Sequence, residues 1–145
     1  YCYSNFFRGR YFGNGAIMAL SKLPKLKLFC RQGKTFRHPF YFSDEHGTIT
    51  DLSGYTARME IRTELPDDDS TADDEDVLIR IDTGSNGGIT IDGPKGEVVL
   101  EIDATTTATF PVATYTYEPE LIAPSGDVED FLAPSSFVVL PEVTL

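Results

Sequence analysis

The residues in this chain whose types can do chemistry are two histidines, two cysteines, a Gly-Lys-Thr triplet, a dense run of acids and a pair of alternating tyrosines. His38 and His46 stand at no spacing that forms a metal pair or a nucleophile–base pair, and no G-x-S-x-G elbow accompanies them. Gly33-Lys34-Thr35 imitates the end of a phosphate-binding loop. Leu28, however, occupies the position of the loop's earlier glycine, and "FRHPFYF" continues as a strand where the motif requires a helix. The triplet therefore reads as a turn into a strand.

The run "PDDDSTADDEDV" invites a calcium reading. Aligning Asp67 and Asp69 with the first ligands of an EF-hand loop puts Ala72 at the glycine position and Leu78 at that of the bidentate glutamate, so the pattern fails. Clustered like charge with nothing to bury reads instead as a solvated loop. Cys2 and Cys30 have no second cysteine or histidine at zinc-ligand spacing and are expected as structurally neutral thiols of a chain made in a reducing compartment. Tyr115 and Tyr117 fall on one strand face, which suits a sugar-stacking platform. The sequence has no Trp, and two same-face tyrosines late in a sandwich serve more simply as core residues whose hydroxyls reach a corner of the backbone. These readings predict no catalytic residue, no metal and no cofactor; the chain is expected not to be an enzyme.

The elements that would carry these residues are short. In "DLSGYTARMEIR" the residues Tyr55, Ala57, Met59 and Ile61 alternate with Thr56, Arg58, Glu60 and Arg62, the period of two of a half-buried strand. The same β-rich pattern recurs in "KLKLF", "TFRHPFYF", "VLIRID", "GITI", "EVVLEI", "ATYTYEPEL" and "SFVVLPEV". Between these runs lie the turn signals "SDEHG", "GSNGG", "DGPKG" and "APSGD". This spacing predicts two packed sheets. "ITIDGPKGEVVLEI" is the clearest hairpin. Only "DATTTATF" suggests a helical turn, with Asp103 as its N-cap. The expected core includes Tyr55, Met59, Ile61, Val99, Leu100 or Ile102, Tyr115 and Val139, with only one of Val99 and Leu100 pointing inward. Arg58 and Arg62 are expected to be available to neighbouring molecules.

The charge is unevenly placed. The net charge of −11 argues against a general nucleic-acid binder. Eight of the 12 basic residues (Arg8, Arg10, Lys22, Lys25, Lys27, Arg31, Lys34 and Arg37) precede the first acid, Asp44. No apolar run approaches the length of a transmembrane helix, and the opening "YCYSNFFRGRYFGNGAIM" lacks the apolar stretch of a secretory signal. The first methionine is Met18, so an initiator methionine is expected to have been removed, or residues 1–17 to precede the start. The sequence divides into an extended basic and aromatic arm, residues 1–24, and a sandwich domain, residues 25–145. The arm is expected to dock on the acidic body of a neighbouring subunit through Arg8, Arg10, Phe6, Phe7, Tyr11 and Phe12, with folding back as an edge strand of its own sandwich as the alternative.

Taken together, "GKTFRHPFYFSDEHGTITDLSGYTARMEIR", "GGITIDGPKGEVVLEIDATTTATFPVATYTYEPEL" and "APSGDVEDFLAPSSFVVLPEVT" resemble small tailed-bacteriophage virion proteins, including the N-terminal domain of baseplate upper proteins. The resemblance spans residues 32–144. It implies an immunoglobulin-like β-sandwich serving as a structural protein of the virion, made in the bacterial host cytoplasm. Its implied partners are other phage virion proteins and further copies of itself in a homo-oligomer, with neither nucleic acid nor membrane. With no fibre or receptor-binding domain after Leu145, a tail, neck or baseplate adaptor is expected; a capsid decoration protein or a glycan-binding module is the alternative.

Overall fold

Where the sequence alternates, the backbone extends. The computed structural model describes the backbone at residues 8–10 and the chain in full at residues 23–63 and 76–143. The described strands are β1 Arg8–Arg10, β2 Leu28–Arg31, β3 Phe36–Ser43, β4 Thr56–Arg62, β5 Val77–Asp82, β6 Ile89–Asp92, β7 Glu97–Ile102, β8 Ala113–Ile122, β9 Val128–Asp130 and β10 Ser135–Leu140. A single helical turn, α1 Ala104–Thr107, joins β7 to β8, and the Asp103 carboxylate caps it by accepting from the Thr106 N–H.

The strands form two sheets, one in the order β1-β3-β7-β6 and one in the order β2-β10-β8-β4-β5, with β9 added beside β8. Neighbours are antiparallel except for β1 beside β3 and β2 beside β10. The fold is thus all-β in two layers, as the spacing of the runs predicts.

The core fills the space between the sheets. Phe36, Phe40 and Phe42 of β3 and Val98, Leu100 and Ile102 of β7 meet Ala57, Met59 and Ile61 of β4, Tyr115, Tyr117 and Leu121 of β8, and Phe137 and Val139 of β10. Tyr55 is partly buried against this cluster. Alternation in "EVVLEI" resolves with Leu100 inward, while Val99, although only 7% exposed, belongs to the opposite face of β7 and not to the core. There it lies between Pro39 of β3 and Thr90 of β6, which cover it from either side.

Several strand ends shift by a residue from the sequence pattern, and larger departures have physical causes. The strand in "KLKLF" begins only at Leu28, because residues 24–27 approach the sheet through other contacts: the Ala133 N–H donates to the Pro24 carbonyl and the Leu26 N–H to Ser135 Oγ. β10 ends at Leu140, since Pro141 has no N–H to donate to a ladder. The closing strand is also split. β10 pairs with β8 at residues 113–117 and β9 pairs with it at residues 120–122, while the intervening Phe131, Leu132 and Ala133 are buried. Phe131 packs edge-on against Phe40 and Phe42 at centroid distances of 5.2 and 5.1 Å, so the break delivers a ring to the core.

The loop before β4 is held by the β6–β7 hairpin. The Leu52 N–H donates to the Gly93 carbonyl, the Phe42 N–H to the Gly96 carbonyl, and Leu52 itself is fully buried. A Cβ on Gly93 would lie 2.6 Å from the Ser53 nitrogen, and one on Gly96 would lie 2.5 Å from the Thr50 carbonyl oxygen, so this approach requires glycine at both ends of the turn. The segment "DLSGYTARMEIR" is therefore a structural support, a clamped loop feeding a core strand.

Candidate functional site

The tyrosine pair is the first feature the fold decides. Tyr115 and Tyr117 are both buried; the Tyr115 hydroxyl donates to the Pro111 carbonyl at 2.8 Å and the Tyr117 hydroxyl to the Leu26 carbonyl. Burial pushes both phenols up, Tyr117 above the range in which a tyrosine ordinarily ionises. Neither ring can stack on a sugar. Tyr41 of β3, at 37% exposed, does reach the surface.

The remaining chemistry-bearing residues also take structural positions. His38 lies on the inward face of β3, 2% exposed and edge-on to Phe40 at 4.5 Å, and burial lowers its pKa to about 4. It is a neutral core residue at physiological pH. His46 is exposed in the turn after β3. Gly33 adopts a φ of 74° in the turn between β2 and β3, so the Gly-Lys-Thr triplet leads into a strand. Cys30 is buried on β2, whereas Cys2 and the acids of residues 67–75 lie outside the described residues. Among the described residues no group of three or more His, Cys, Asp or Glu side chains is placed to hold a metal ion, and no helix is long and apolar enough to cross a membrane.

The outer face of the larger sheet carries a charged lattice, and here the structure corrects an expectation. Arg58 and Arg62 are not free of partners: Arg58 Nε donates to Glu120 Oε2 at 2.6 Å and Arg62 Nε to Glu60 Oε2 at 2.7 Å, with the Arg58 side chain still exposed and that of Arg62 largely covered. Arg80 Nε takes the other oxygen of Glu60 at 2.8 Å. Partial burial by itself raises the Glu60 carboxyl, but hydrogen bonds and charge from Arg80 and Arg62 prevail and hold it below the usual range. Three arginines are thus spent on two glutamates. Glu118 and Asp130, on the same face, face each other instead. Burial raises both carboxyls; the nearby charges of Asp130 and Glu120 push Glu118 up further, and that of Glu120 does the same to Asp130. Glu129 turns the other way on β9, opposite Leu121; burial raises its carboxyl, and its Oε2 has no hydrogen-bond partner among the described residues.

A different pattern runs along β2. Lys34, Arg37, Arg58, Arg62, Arg80 and Lys95 each have a carboxylate within ion-pair distance. Lys25, Lys27 and Arg31 are exposed and have none among the described residues. Between them lies Phe29, 43% exposed, with Lys27 Nζ 5.9 Å from its ring centroid. Among the described residues β2 is an outermost strand of its sheet, with β10 as its one neighbour.

Of the arm, Arg8, Gly9 and Arg10 run parallel to β3 with Arg8 opposite Tyr41 and Arg10 opposite Ser43. At these three residues the backbone takes the alternative position, an added edge strand on its own sheet. Phe6, Phe7, Tyr11 and Phe12, and the side chains of Arg8 and Arg10, lie outside what is described. The features that sequence reasoning missed are the cations at and before β2 that have no carboxylate among the described residues and the Glu118–Asp130 contact. The charges were visible in the sequence, but whether a charge has a partner depends on lateral strand order, which has no local signal. No family model matches the chain, and no curated protein matches it significantly.

Proposed function

We propose that this chain is a structural subunit of a tailed-phage virion, a component of its tail, neck or baseplate, built on an immunoglobulin-like sandwich and working through protein–protein contacts. Support for the immunoglobulin-like part comes from strand order. A β3-β7-β6 layer facing a β10-β8-β4-β5 layer, with β2 running parallel to the last strand, matches a B-E-D sheet facing a G-F-C-C′ sheet. The Tyr115 hydroxyl reaching back to the Pro111 carbonyl at the β7–β8 corner has the form of the tyrosine corner of such sandwiches.

The observation that carries the functional reading is the surface of β2. An outermost strand that presents a half-exposed phenylalanine between cations with no carboxylate partner among the described residues has the composition of a contact surface: an apolar anchor with charges that select the partner. Immunogold labelling of phage particles from the source culture with antibody raised against the purified chain tests the assignment. Label at the tail, neck or baseplate is expected. Label spread over the capsid would replace it with the decoration reading, and particles without label would overturn it.

A further inference from the structure

Among the described residues the two outermost strands of the larger sheet are β2 and β5; the charge left beside β2 is basic, and at β5, where Arg80 is already paired with Glu60, it is acidic. Beside β2 stand Lys25, Lys27 and Arg31, unpaired among the described residues; at β5 stand Asp76, exposed at its start, and Asp82 at its end. In the sequence, β5 follows directly on the acidic run that ends at Asp76. Both strands also offer apolar surface, Phe29 on β2 and the partly buried Val77 on β5.

Strand direction adds an independent constraint. β2 is parallel to β10, and each step from β10 through β8 and β4 to β5 is antiparallel, so β5 runs opposite to β2. A second copy placed beside the first in the same orientation therefore brings its β2 antiparallel to the first copy's β5, the better-paired ladder. We propose that copies of this chain associate head to tail in this way, β5 of one pairing with β2 of the next, so that the sheet continues from subunit to subunit. Phe29 and Arg31 then share the outer face with Val77, which stands opposite Arg62 at the bulge in β5, and with Asp82, whose own N–H is already taken by the Gly87 carbonyl, so that the new ladder runs along residues 77–81. Symmetric β2–β2 contact is disfavoured, because it sets Lys27 and Arg31 against their own kind. A head-to-tail contact is heterologous, and with the rotation that sheet twist imposes it generates a ring or a helical stack. The inference rests on the reading of the chain as an assembly component.

Charge reversal with mixing tests it, read by sedimentation velocity on the full chain at low and at about 1 M salt, where exposed charges are screened beyond roughly 3 Å. The wild-type chain is expected to associate with rising concentration at low salt and to dissociate at high salt. Lys27→Glu/Arg31→Glu carries an acidic β2, and Asp76→Lys a less acidic β5. Each alone should sediment with at least tenfold weaker association, and an equimolar mixture should recover it, since each variant retains or supplies the edge that the other needs. Asp82 is left unaltered because its carboxylate accepts from the Gly84 and Asn86 N–H groups in the following turn. Circular dichroism melting confirms that both variants are folded. A wild-type chain that stays monomeric, or variants that associate as the wild type does, or a mixture without recovery, would overturn the pairing. Particle labelling by antibody is a separate readout, so label on a tail with a monomeric chain in solution would sink this interface and leave the virion assignment standing.

Discussion

His38 is the residue whose burial has the largest consequence for stability. Buried on the inner face of β3 and edge-on to Phe40, it stays neutral in the fold, with its pKa moved from 6.5 to about 4. The unfolded chain binds a proton there as pH drops through 6.5, and the folded chain does so only near 4. The contribution is thus fully present above about pH 6.5 and is lost progressively toward pH 4, at about 1.4 kcal/mol per unit. Between pH 7 and 5 this site should remove about 2 kcal/mol, measured by urea unfolding at each pH. The raised carboxyls Glu118, Glu129 and Asp130 act in the opposite direction, gaining stability on acidification, so the diagnostic quantity is the difference from His38→Leu, which should lack the histidine slope. Equal slopes in both proteins would show that His38 is not held neutral. At the same scale, Tyr115→Phe should cost about 1 kcal/mol through loss of the bond to Pro111.

At the scale of the element, period-two alternation made most strands legible, because a strand with one buried face must place its apolar residues at every second position. "TARMEIR" and "FRHPFYFS" follow that rule along their whole length, with core and surface residues alternating. The rule fails where no single face is buried. β9 consists of Val128, Glu129 and Asp130, too short and too polar to show a period, and what holds it is the main-chain ladder to β8. Register escapes local reading for the same reason. That Asp130 stands opposite Glu120 follows from the β8–β9 pairing and from no motif. Arg58 already serves Glu120, so Asp130 meets an acid without a base of its own. Like charges directly opposite each other destabilise a ladder, and Asp130→Asn should stabilise the protein by about 0.2–1 kcal/mol at pH 7 and by less at pH 5. An Asn variant less stable than the wild type at pH 7 would show that the carboxylate is needed. In contrast, truncating the inward face of β4 by Met59→Ala or Ile61→Ala should cost about 2–5 kcal/mol, since both side chains are sealed between the sheets.

For the whole molecule, the uneven charge of the sequence, with 8 of the 12 basic residues ahead of the first acid, acquires two distinct locations in the fold. One lies within residues 1–22, of which only the backbone of Arg8–Arg10 is described, beside β3. The other lies along β2, within the sandwich itself. Sequence reasoning assigned the first location to partner contact because it is rich in aromatics; the geometry makes the second the better-defined contact, since its cations flank an outermost strand whose direction suits the opposite edge. Deleting residues 1–22 separates the two. Among the described residues the buried core is drawn entirely from residues 28–139, so the truncated chain should keep a cooperative urea transition. Losing the three-residue β1 should cost about 1–3 kcal/mol, the net worth of a few ladder hydrogen bonds. Its salt-sensitive association should persist, because β2 and β5 are untouched. If the truncated chain folds but no longer associates at low salt, the contact between copies runs through the arm, and Arg8, Arg10 and the flanking aromatics become the residues to alter next.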